Sequence, residues 1–304
     1  LPGTLEELMA ELAERPAADV LAGGTDLMVE VNFGRHHPGD VVSLARVLEL
    51  RGWRREGDEI VLGAALTYTD MMELELASLL PALAQAARTV GSPQIRNAGT
   101  LGGNLATGSP AGDTLPVLLA LGARVVCSST SGERELPIAE FMVGAKRTAL
   151  QPGEVVSSVR LPVPPPGARH EFLKVGTRNA MVIAVCSVAL VAEPARRHVR
   201  LGLGSVGPVA LAAPMAEGFA GEAFDWENGS LADCEGAFDR FESLVASAAQ
   251  PIDDHRSTAA YRRHAVGVCA RRALRRALVS LGEDRPGAGP APTRPGSASP
   301  AAEG

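Results

Sequence analysis

The sequence predicts an α+β fold built from two or three subdomains. Hydrophobic residues make up 46% of its 304 residues and charged residues 21%, so the chain can bury a core and is not disordered as a whole. Strand and helix patterns are interleaved without the regular alternation of a doubly wound sheet, which favours the α+β class. The number of subdomains follows from the length, since a domain takes roughly 150 residues.

The N-terminal elements are a helix and three short strands. Thr4 and Glu7 form the pattern of a capping box with Thr4 as the N-cap, and Pro16 ends the helix. Apolar residues at helical spacing give this helix one buried face: Leu5, Leu8, Met9 and Leu12. Short apolar runs predict strands at residues 19–22, 41–44 and 59–62.

A long stretch rich in glycine and small residues, 91–113, lies between two predicted helices. The first helix spans residues 79–90, and the second spans 113–121 with Asp113 as its N-cap. Strands are expected at 124–127, 135–137 and 155–161. The proline-rich run that follows, 162–166, is the best candidate for a linker in the chain.

The C-terminal half reads as strands followed by helices. Strands are predicted at 171–175, 183–192 and 199–203, and helices at 231–249 and 257–281. Residues 285–304 are rich in proline and glycine and contain no Val, Leu, Ile, Phe or Met. A segment of that composition cannot form a core, so a disordered tail is expected.

Charge and composition argue against several functional classes. A net charge of -6 is unlike that of a general nucleic-acid binder. The longest apolar run, 181–192, is shorter than the roughly 20 residues of a membrane-spanning helix. The four cysteines are too widely spaced for a zinc or iron–sulfur site, so no metal site is predicted. They are also too sparse for a disulfide framework, which predicts a cytoplasmic protein.

Two glycine pairs are each flanked by a hydroxyl residue. They are Gly23-Gly24-Thr25-Asp26 and Thr100-Leu101-Gly102-Gly103-Asn104. Glycine permits positive φ and a close approach of another group to the backbone. Successive N–H groups in such turns can bind an anion, so a pyrophosphate could lie there without a lysine. Two ordinary tight turns explain the same residues, and spacing alone leaves both interpretations open.

A third glycine motif, Gly202-Leu203-Gly204-Ser205-Val206-Gly207, has the G-x-G-x-x-G spacing of a dinucleotide-binding turn. That fingerprint requires a helix to begin within it, in a βαβ unit. Pro208 follows directly and would strain the first helical turn, and Pro214 interrupts the next apolar stretch. A turn after a strand is the favoured interpretation. The alternative is a nicotinamide-binding oxidoreductase that depends on Gly204.

Residues 255–281 carry seven arginines and no acidic residue on a predicted amphipathic helix. Its basic side chains could pair with the acidic remainder of the chain or form a surface for a partner subunit. No spacing suggests a catalytic triad or an acid–base pair. If the protein is an enzyme, a cofactor is expected to carry the chemistry.

The glycine loops become specific when they are read with their surroundings. The first loop contains Leu21-Ala22-Gly23-Gly24-Thr25-Asp26-Leu27, and the second loop is Ile95-Arg96-Asn97-Ala98-Gly99-Thr100-Leu101-Gly102-Gly103-Asn104-Leu105. Further matches follow in order: Ser109-Pro110-Ala111-Gly112-Asp113, Lys146-Arg147-Thr148-Ala149-Leu150, Phe172-Leu173-Lys174 and Asp254-His255-Arg256. The sequence therefore resembles the FAD-binding (medium) subunits of the molybdenum hydroxylases, the family of xanthine and carbon monoxide dehydrogenases. Residues 104–113 look most like the bacterial xanthine dehydrogenase FAD subunit.

The resemblance implies a fold and a division into domains. The fold is the FAD-binding type of vanillyl-alcohol oxidase (PCMH-type), with two α+β subdomains and a smaller C-terminal α+β domain. The expected boundaries are 1–55 and 56–165 for the FAD-binding subdomains, 166–283 for the C-terminal domain and 284–304 for the tail.

The family's FAD contacts transfer to matching positions of this sequence. In the first loop (residues 20–27) they are Val20, Leu21, Ala22, Gly23, Gly24, Thr25, Asp26 and Leu27. Beyond it they are Val90, Thr100, Gly103, Asn104, Thr107, Ser109, Asp113, Val156 and Lys174. The first loop would hold the pyrophosphate through backbone amides, and Lys174 would lie near the isoalloxazine ring. A cation there favours electron gain by the flavin.

The resemblance also implies a function shared among three subunits. A large molybdopterin subunit would oxidise the substrate, a small subunit with [2Fe–2S] clusters would relay electrons, and FAD on this chain would pass them to NAD⁺ or another acceptor. The expected enzyme is a xanthine dehydrogenase. The alternative is a carbon monoxide dehydrogenase or another hydroxylase of the family. Only two basic residues are lysines, Lys146 and Lys174. Lys174 has the predicted role above, and that of Lys146 stays open.

Overall fold

The computed structural model describes residues 1–227, 229 and 234–283. The predicted tail at 284–304 and the first residues of the predicted helix at 231–249 lie outside this range. The N-terminal part contains α1 Leu5–Glu14, β1 Asp19–Leu21, α2 Leu27–Asn32, β2 Val41–Ser43, β3 Trp53–Glu56, β4 Glu59–Gly63, α3 Leu74–Leu79, α4 Pro81–Thr89, α5 Pro93–Ala98, α6 Leu101–Thr107, α7 Thr114–Ala120, β5 Arg124–Ser129, β6 Gly132–Pro137, α8 Ile138–Phe141, β7 Met142–Gly144, β8 Arg147–Thr148 and β9 Val155–Pro162. The C-terminal part contains β10 Arg169–Val175, β11 Cys186–Glu193, β12 His198–Gly204, α9 Pro214–Ala223, α10 Glu235–Ala248 and α11 Ala259–Glu283. The predicted α+β class is confirmed.

The first small unit packs α1 against a parallel pair of strands, β1 and β2. Leu8 and Leu12 of α1 are buried against Val42 and Val47. The Thr4 hydroxyl accepts a hydrogen bond from the N–H of Glu7 at 3.1 Å, as the capping box predicts. The Glu7 carboxylate accepts from the N–H of Gly3 instead of Thr4, so only half of the box forms.

An antiparallel sheet of five strands, in the order β3-β4-β9-β5-β6, forms the centre of the N-terminal part. The helices α4, α6 and α7 contribute to the same hydrophobic core as its inner face. β3 was not predicted, because its outward residues are mostly charged and mask the strand pattern. The proline run predicted as a linker begins at the end of β9 and leads to β10.

The glycine-rich stretch 91–113 contains two helices that the composition does not indicate, α5 and α6. Ser92 caps α5 and Thr100 caps α6, because each hydroxyl oxygen accepts a hydrogen bond from a backbone N–H of its helix, that of Ile95 and that of Gly103 respectively. Gly102 lies inside α6 because a Cβ there would come 2.7 Å from the Cβ of Ala64. Glycine therefore serves close packing here, at some cost in helix propensity.

The prediction that the side chain of Asp113 caps α7 is wrong. Asp113 already has helical backbone angles, φ -66° and ψ -29°, and makes no capping bond. A capping side chain needs an extended backbone to reach the N–H groups of the first turn. The carboxylate of Asp113 instead accepts a hydrogen bond from Lys174 Nζ at 2.6 Å.

The C-terminal part is a three-stranded antiparallel sheet, in the order β10-β11-β12. Helices α9, α10 and α11 share a hydrophobic core with this sheet. On the opposite side, α4 contacts β10, and α7 contacts β11 and β12. The helices α4 and α7 thus form a layer common to both parts of the chain.

The favoured interpretation of residues 202–207, a turn after a strand, is confirmed. β12 is antiparallel to its neighbour, and the next helix, α9, begins only at Pro214. A Cβ on Gly202 would lie 1.8 Å from the carbonyl oxygen of Pro116 in α7, and one on Gly204 would lie 2.3 Å from the Ser187 hydroxyl. These glycines let α7 lie directly on the sheet. Pro214 does not merely interrupt an apolar stretch, because it occupies the first turn of α9.

Several arginines of α11 pair with acidic residues, as one of the two alternatives predicted. Arg271 and Arg275 both contact Glu235 of α10, and Arg276 contacts Glu171 at 3.4 Å. Arg262 is buried and donates to the carbonyl oxygens of Ser205 and Val185 and to Asp254. Within the described residues, neither α11 nor any other helix is long and apolar enough to cross a membrane.

Replacing Arg262 by Met should lower the free energy of unfolding by about 2–4 kcal/mol, because the carbonyl oxygens of Val185 and Ser205 lose their donor while Asp254 keeps Arg256. Arg263→Met, one residue further along on an exposed position, should change it by less than about 0.5 kcal/mol. Urea denaturation of the full chain measures both values. Equal effects would show that Arg262 does not hold the C-terminal part together.

Candidate functional site

The first loop leaves a row of backbone N–H groups without acceptors. It leads from the end of β1 into α2, whose N-cap Asp26 makes no side-chain capping bond. From residue 22 to residue 27, no backbone N–H donates to an acceptor within the described residues. Gly24 adopts a φ of +69°, which turns the chain sharply at this point. Free N–H groups of successive residues in such a turn form a concave site for an anion.

Gly23 allows the first loop to touch the second loop (residues 95–105). A Cβ on Gly23 would lie only 1.7 Å from the carbonyl oxygen of Ala98. The close approach that the glycine permits is therefore between two segments of the protein itself. It brings the free N–H groups of the first loop beside the start of α6.

The second loop has no equivalent set of free backbone donors at the start of α6. The N–H of Leu101 donates to Leu66 at 2.9 Å, that of Gly102 to Ala64 at 2.7 Å, and that of Gly103 to the Thr100 hydroxyl at 3.1 Å. What this loop can offer a ligand is the hydroxyl proton of Thr100 and the amide nitrogen of Asn104. The other side-chain atom of Asn104, Oδ1, accepts from Thr114 at 2.6 Å.

Two cavities of about 400 and 450 Å³ meet between the loops. The first cavity is lined by the first loop, the start of α6, and residues from α2 and from the segment after β7. The second cavity is lined by apolar side chains around the polar edge of Ser109 and Asp113: Val90, Ile95, Ala111, Met181, Val182 and Ile183. Thr25, Asp26, Tyr68 and Asn104 line both. Together the cavities form a continuous cleft of a size common for cofactor sites.

Most of the predicted contact residues lie along this cleft. The first cavity is lined by all eight residues of the first loop and by Thr100, Gly103, Asn104 and Thr107. Val90, Ser109 and Asp113 line the second cavity. Val156 and Lys174 line neither cavity. The side chain of Val156 is buried in the central core, because β9 is an inner strand of the five-stranded sheet.

Lys174 reaches the cleft through Asp113. Its Nζ lies 2.6 Å from Asp113 Oδ2, and both side chains are buried. It also donates to the carbonyl oxygen of Thr89 at 3.3 Å. Burial raises the pKa of Asp113, and the neighbouring Lys174 cation opposes this rise. The pair places a buried cation behind a carboxyl group that lines the second cavity.

Five residues line the first cavity without having been predicted as FAD contacts: Glu30, Tyr68, Ala106, Lys146 and Leu150. Lys146 Nζ donates to Glu30 Oε1 at 2.9 Å, and this contact lowers the pKa of Glu30. Glu30 follows Asp26 by one helical turn, so a shared helix face was the available signal. Lys146 and Leu150 belong to a segment that matches the family, although no FAD contact was predicted for either, and Tyr68 had no motif around it.

The comparisons with known proteins agree with this geometry. Residues 1–164 match the family described as the FAD binding domain in molybdopterin dehydrogenase. Residues 171–277 match the CO dehydrogenase flavoprotein C-terminal domain. The chain belongs to the FAD-binding subunits of the molybdenum hydroxylases. Among the described residues, no group of three or more His, Cys, Asp or Glu side chains is placed to hold a metal ion.

Relatives of this FAD subunit differ in their named substrates. The nicotinate dehydrogenase FAD-subunit of Eubacterium barkeri is 37% identical over 60% of this chain and 64% of its own length. The carbon monoxide dehydrogenase medium chain of Hydrogenophaga pseudoflava is 29% identical over 90% of this chain and 94% of its own. The xanthine dehydrogenase FAD-binding subunit of Escherichia coli O157:H7 is 31% identical over 69% of this chain and 70% of its own length. A solved Cu,Mo-CO dehydrogenase chain superposes with a TM-score of 0.84 at 30% identity, covering 91% of this chain and 96% of that one.

The residues of the cleft fit FAD. The free N–H groups of residues 22–27 are donors suited to a pyrophosphate. A Cβ on Gly103 would meet only the Thr100 hydroxyl, at 2.9 Å, so the backbone there is otherwise open for a ligand to approach. The apolar walls of the second cavity suit a flat aromatic ring system.

Gly103→Ala should raise the dissociation constant for FAD by about tenfold, because the methyl group narrows the first cavity and displaces the Thr100 hydroxyl. A tenfold change in the dissociation constant corresponds to a loss of about 1.4 kcal/mol in binding free energy. Gly236→Ala is the matched control, since Gly236 is a helical glycine with nothing within 4 Å of its Cβ position. Titration of the apoprotein with FAD, followed by flavin fluorescence, measures both. Wild-type affinity in Gly103→Ala would exclude a ligand contact at this residue.

Proposed function

We propose that this chain is the FAD-binding electron-transfer subunit of a xanthine dehydrogenase. It receives electrons from the [2Fe–2S] clusters of a small subunit and passes them to NAD⁺ or another acceptor. A large molybdopterin subunit oxidises the purine. The observation that carries the proposal is the row of unpaired N–H groups at residues 22–27, beside a second cavity with apolar walls. Similarity to the xanthine dehydrogenase subunit of Escherichia coli supports the choice of substrate.

Each part of the cleft has a separate task in this proposal. The first loop binds the pyrophosphate through backbone N–H groups, with Thr100 and Asn104 adding side-chain donors from the opposite side. Val90 and the segment 181–183 would contact the ring system through their apolar side chains. Bound FAD supplies the redox chemistry that the chain's own side chains lack.

Lys174 acts on the ring electrostatically, with Asp113 between the cation and the second cavity. The pair is buried, so its charges are weakly screened and influence the electron affinity of a neighbouring ring. Because the two charges have opposite signs, removing the Lys174 cation should lower the midpoint potential of the flavin, and removing the Asp113 carboxylate should raise it.

Carbon monoxide dehydrogenase is the second candidate. The medium chain from Hydrogenophaga pseudoflava matches over 94% of its length, more than the xanthine dehydrogenase subunit does. The substrate is chosen by the large subunit, so the FAD cleft itself does not distinguish the candidates.

The deciding experiment uses the purified complex under anaerobic conditions. Xanthine should bleach the flavin absorbance, and NAD⁺ should restore it. Bleaching by carbon monoxide and not by xanthine would support the second candidate. A complex without FAD would refute the assignment of this chain as a flavoprotein subunit.

Lys174→Met should leave FAD bound and lower its midpoint potential, whereas Asp113→Asn should raise it. Shifts of tens of millivolts are expected, since about 30 mV corresponds to about 1.4 kcal/mol for a two-electron couple. Spectroscopic redox titration measures the potential. It is repeated across a range of pH, because a proton taken up by Asp113 would mask the lost cation. Unchanged potentials in both variants would remove the pair from this electronic role.

A further inference from the structure

Tyr68 occupies the junction of the two cavities. Four residues line both cavities, and Tyr68 is the only aromatic one among them. It lies in the connection between β4 and α3, opposite the first loop. A ligand that extends from one cavity into the other must therefore pass this side chain.

The ring of Tyr68 is held in place by the second loop. Its backbone N–H donates to the carbonyl oxygen of Gly99 at 3.1 Å. A Cβ on Gly99 would come 2.7 Å from Cε2 of the ring, so the glycine lets the ring approach the backbone closely. The side chain is 6% exposed. A ring that is already fixed loses little conformational entropy when its hydroxyl binds a ligand.

The hydroxyl of Tyr68 has a proton to donate and no hydrogen-bond partner in the described chain. This oxygen is not one of the fully enclosed polar atoms that lack a partner, so it is open to the cavities that the ring lines. Burial, together with the nearby carboxylates of Asp113 and Asp26, raises the pKa of this phenol. It therefore stays protonated over the physiological range and acts as a neutral donor.

The chemical character of the two cavities indicates which part of a ligand the Tyr68 hydroxyl would contact. Free backbone N–H groups in the first cavity suit phosphate oxygens, and apolar walls in the second suit a ring system. The connection between these two parts of FAD is rich in oxygen acceptors. We propose that the Tyr68 hydroxyl donates a hydrogen bond to an oxygen of this connecting chain and thereby positions FAD across both cavities. This inference rests on the proposed function, namely that the chain binds FAD.

The chain contains two tyrosines, which gives a matched pair of variants. Tyr68→Phe keeps the ring and removes only the donor. Tyr261→Phe makes the same change at a side chain that is 51% exposed, on α11. Titration of the full-length apoprotein should show FAD bound about three- to tenfold more weakly by Tyr68→Phe and with wild-type affinity by Tyr261→Phe. Wild-type affinity in both variants overturns the inference and leaves the proposed function intact.

A second measurement does not depend on a variant at Tyr68. Wild-type protein labelled with ¹³Cζ-tyrosine gives two signals, and the spectrum of Tyr261→Phe assigns them. Addition of FAD should shift the Tyr68 signal and leave that of Tyr261 in place. A Tyr68 signal unmoved by saturating FAD overturns the inference. Wild-type protein that binds no FAD overturns the proposed function and this inference with it.

Discussion

The contact between the two loops is the constraint on which the cleft depends. Gly23 lies so close to the carbonyl oxygen of Ala98 that any side chain at this position would overlap it. This contact fixes the free N–H groups of the first loop against the start of α6, whose own N–H groups are already used. Free backbone donors for an anion are therefore concentrated on the first loop. The second loop holds the first loop in place and adds the hydroxyl of Thr100 and the side-chain amide of Asn104.

The layer formed by α4 and α7 connects this cleft to the rest of the molecule. Both helices contact the C-terminal sheet, and Gly202 permits α7 to approach it closely. The segment that joins β10 to β11 then supplies Met181, Val182 and Ile183 to the second cavity. Arg262 donates to Val185 at the end of this segment. The C-terminal part thus completes a cavity that the N-terminal part begins.

The sequence predicted the fold class, most strands and most residues of the cleft, because apolar periodicity and glycine motifs are local signals. It did not reveal α5, a six-residue helix between Gly91 and Gly99, or α6, in which Gly102 is required by a tertiary contact that helix propensity does not register. Asp113 was recognised as a cap, yet its backbone angles and Lys174 give its carboxylate another partner. Tyr68 was missed because only the folded chain places it between the cavities.

Hydrogen exchange of the backbone amides tests the central claim, that the first loop binds FAD through its N–H groups. Without ligand, the amides of residues 22–27 should exchange rapidly, and those of residues 101–103 should already be protected by their internal hydrogen bonds. Saturating FAD should slow exchange strongly at residues 22–27 and change it little at 101–103. Unchanged exchange at 22–27 in protein that has bound FAD would contradict the account.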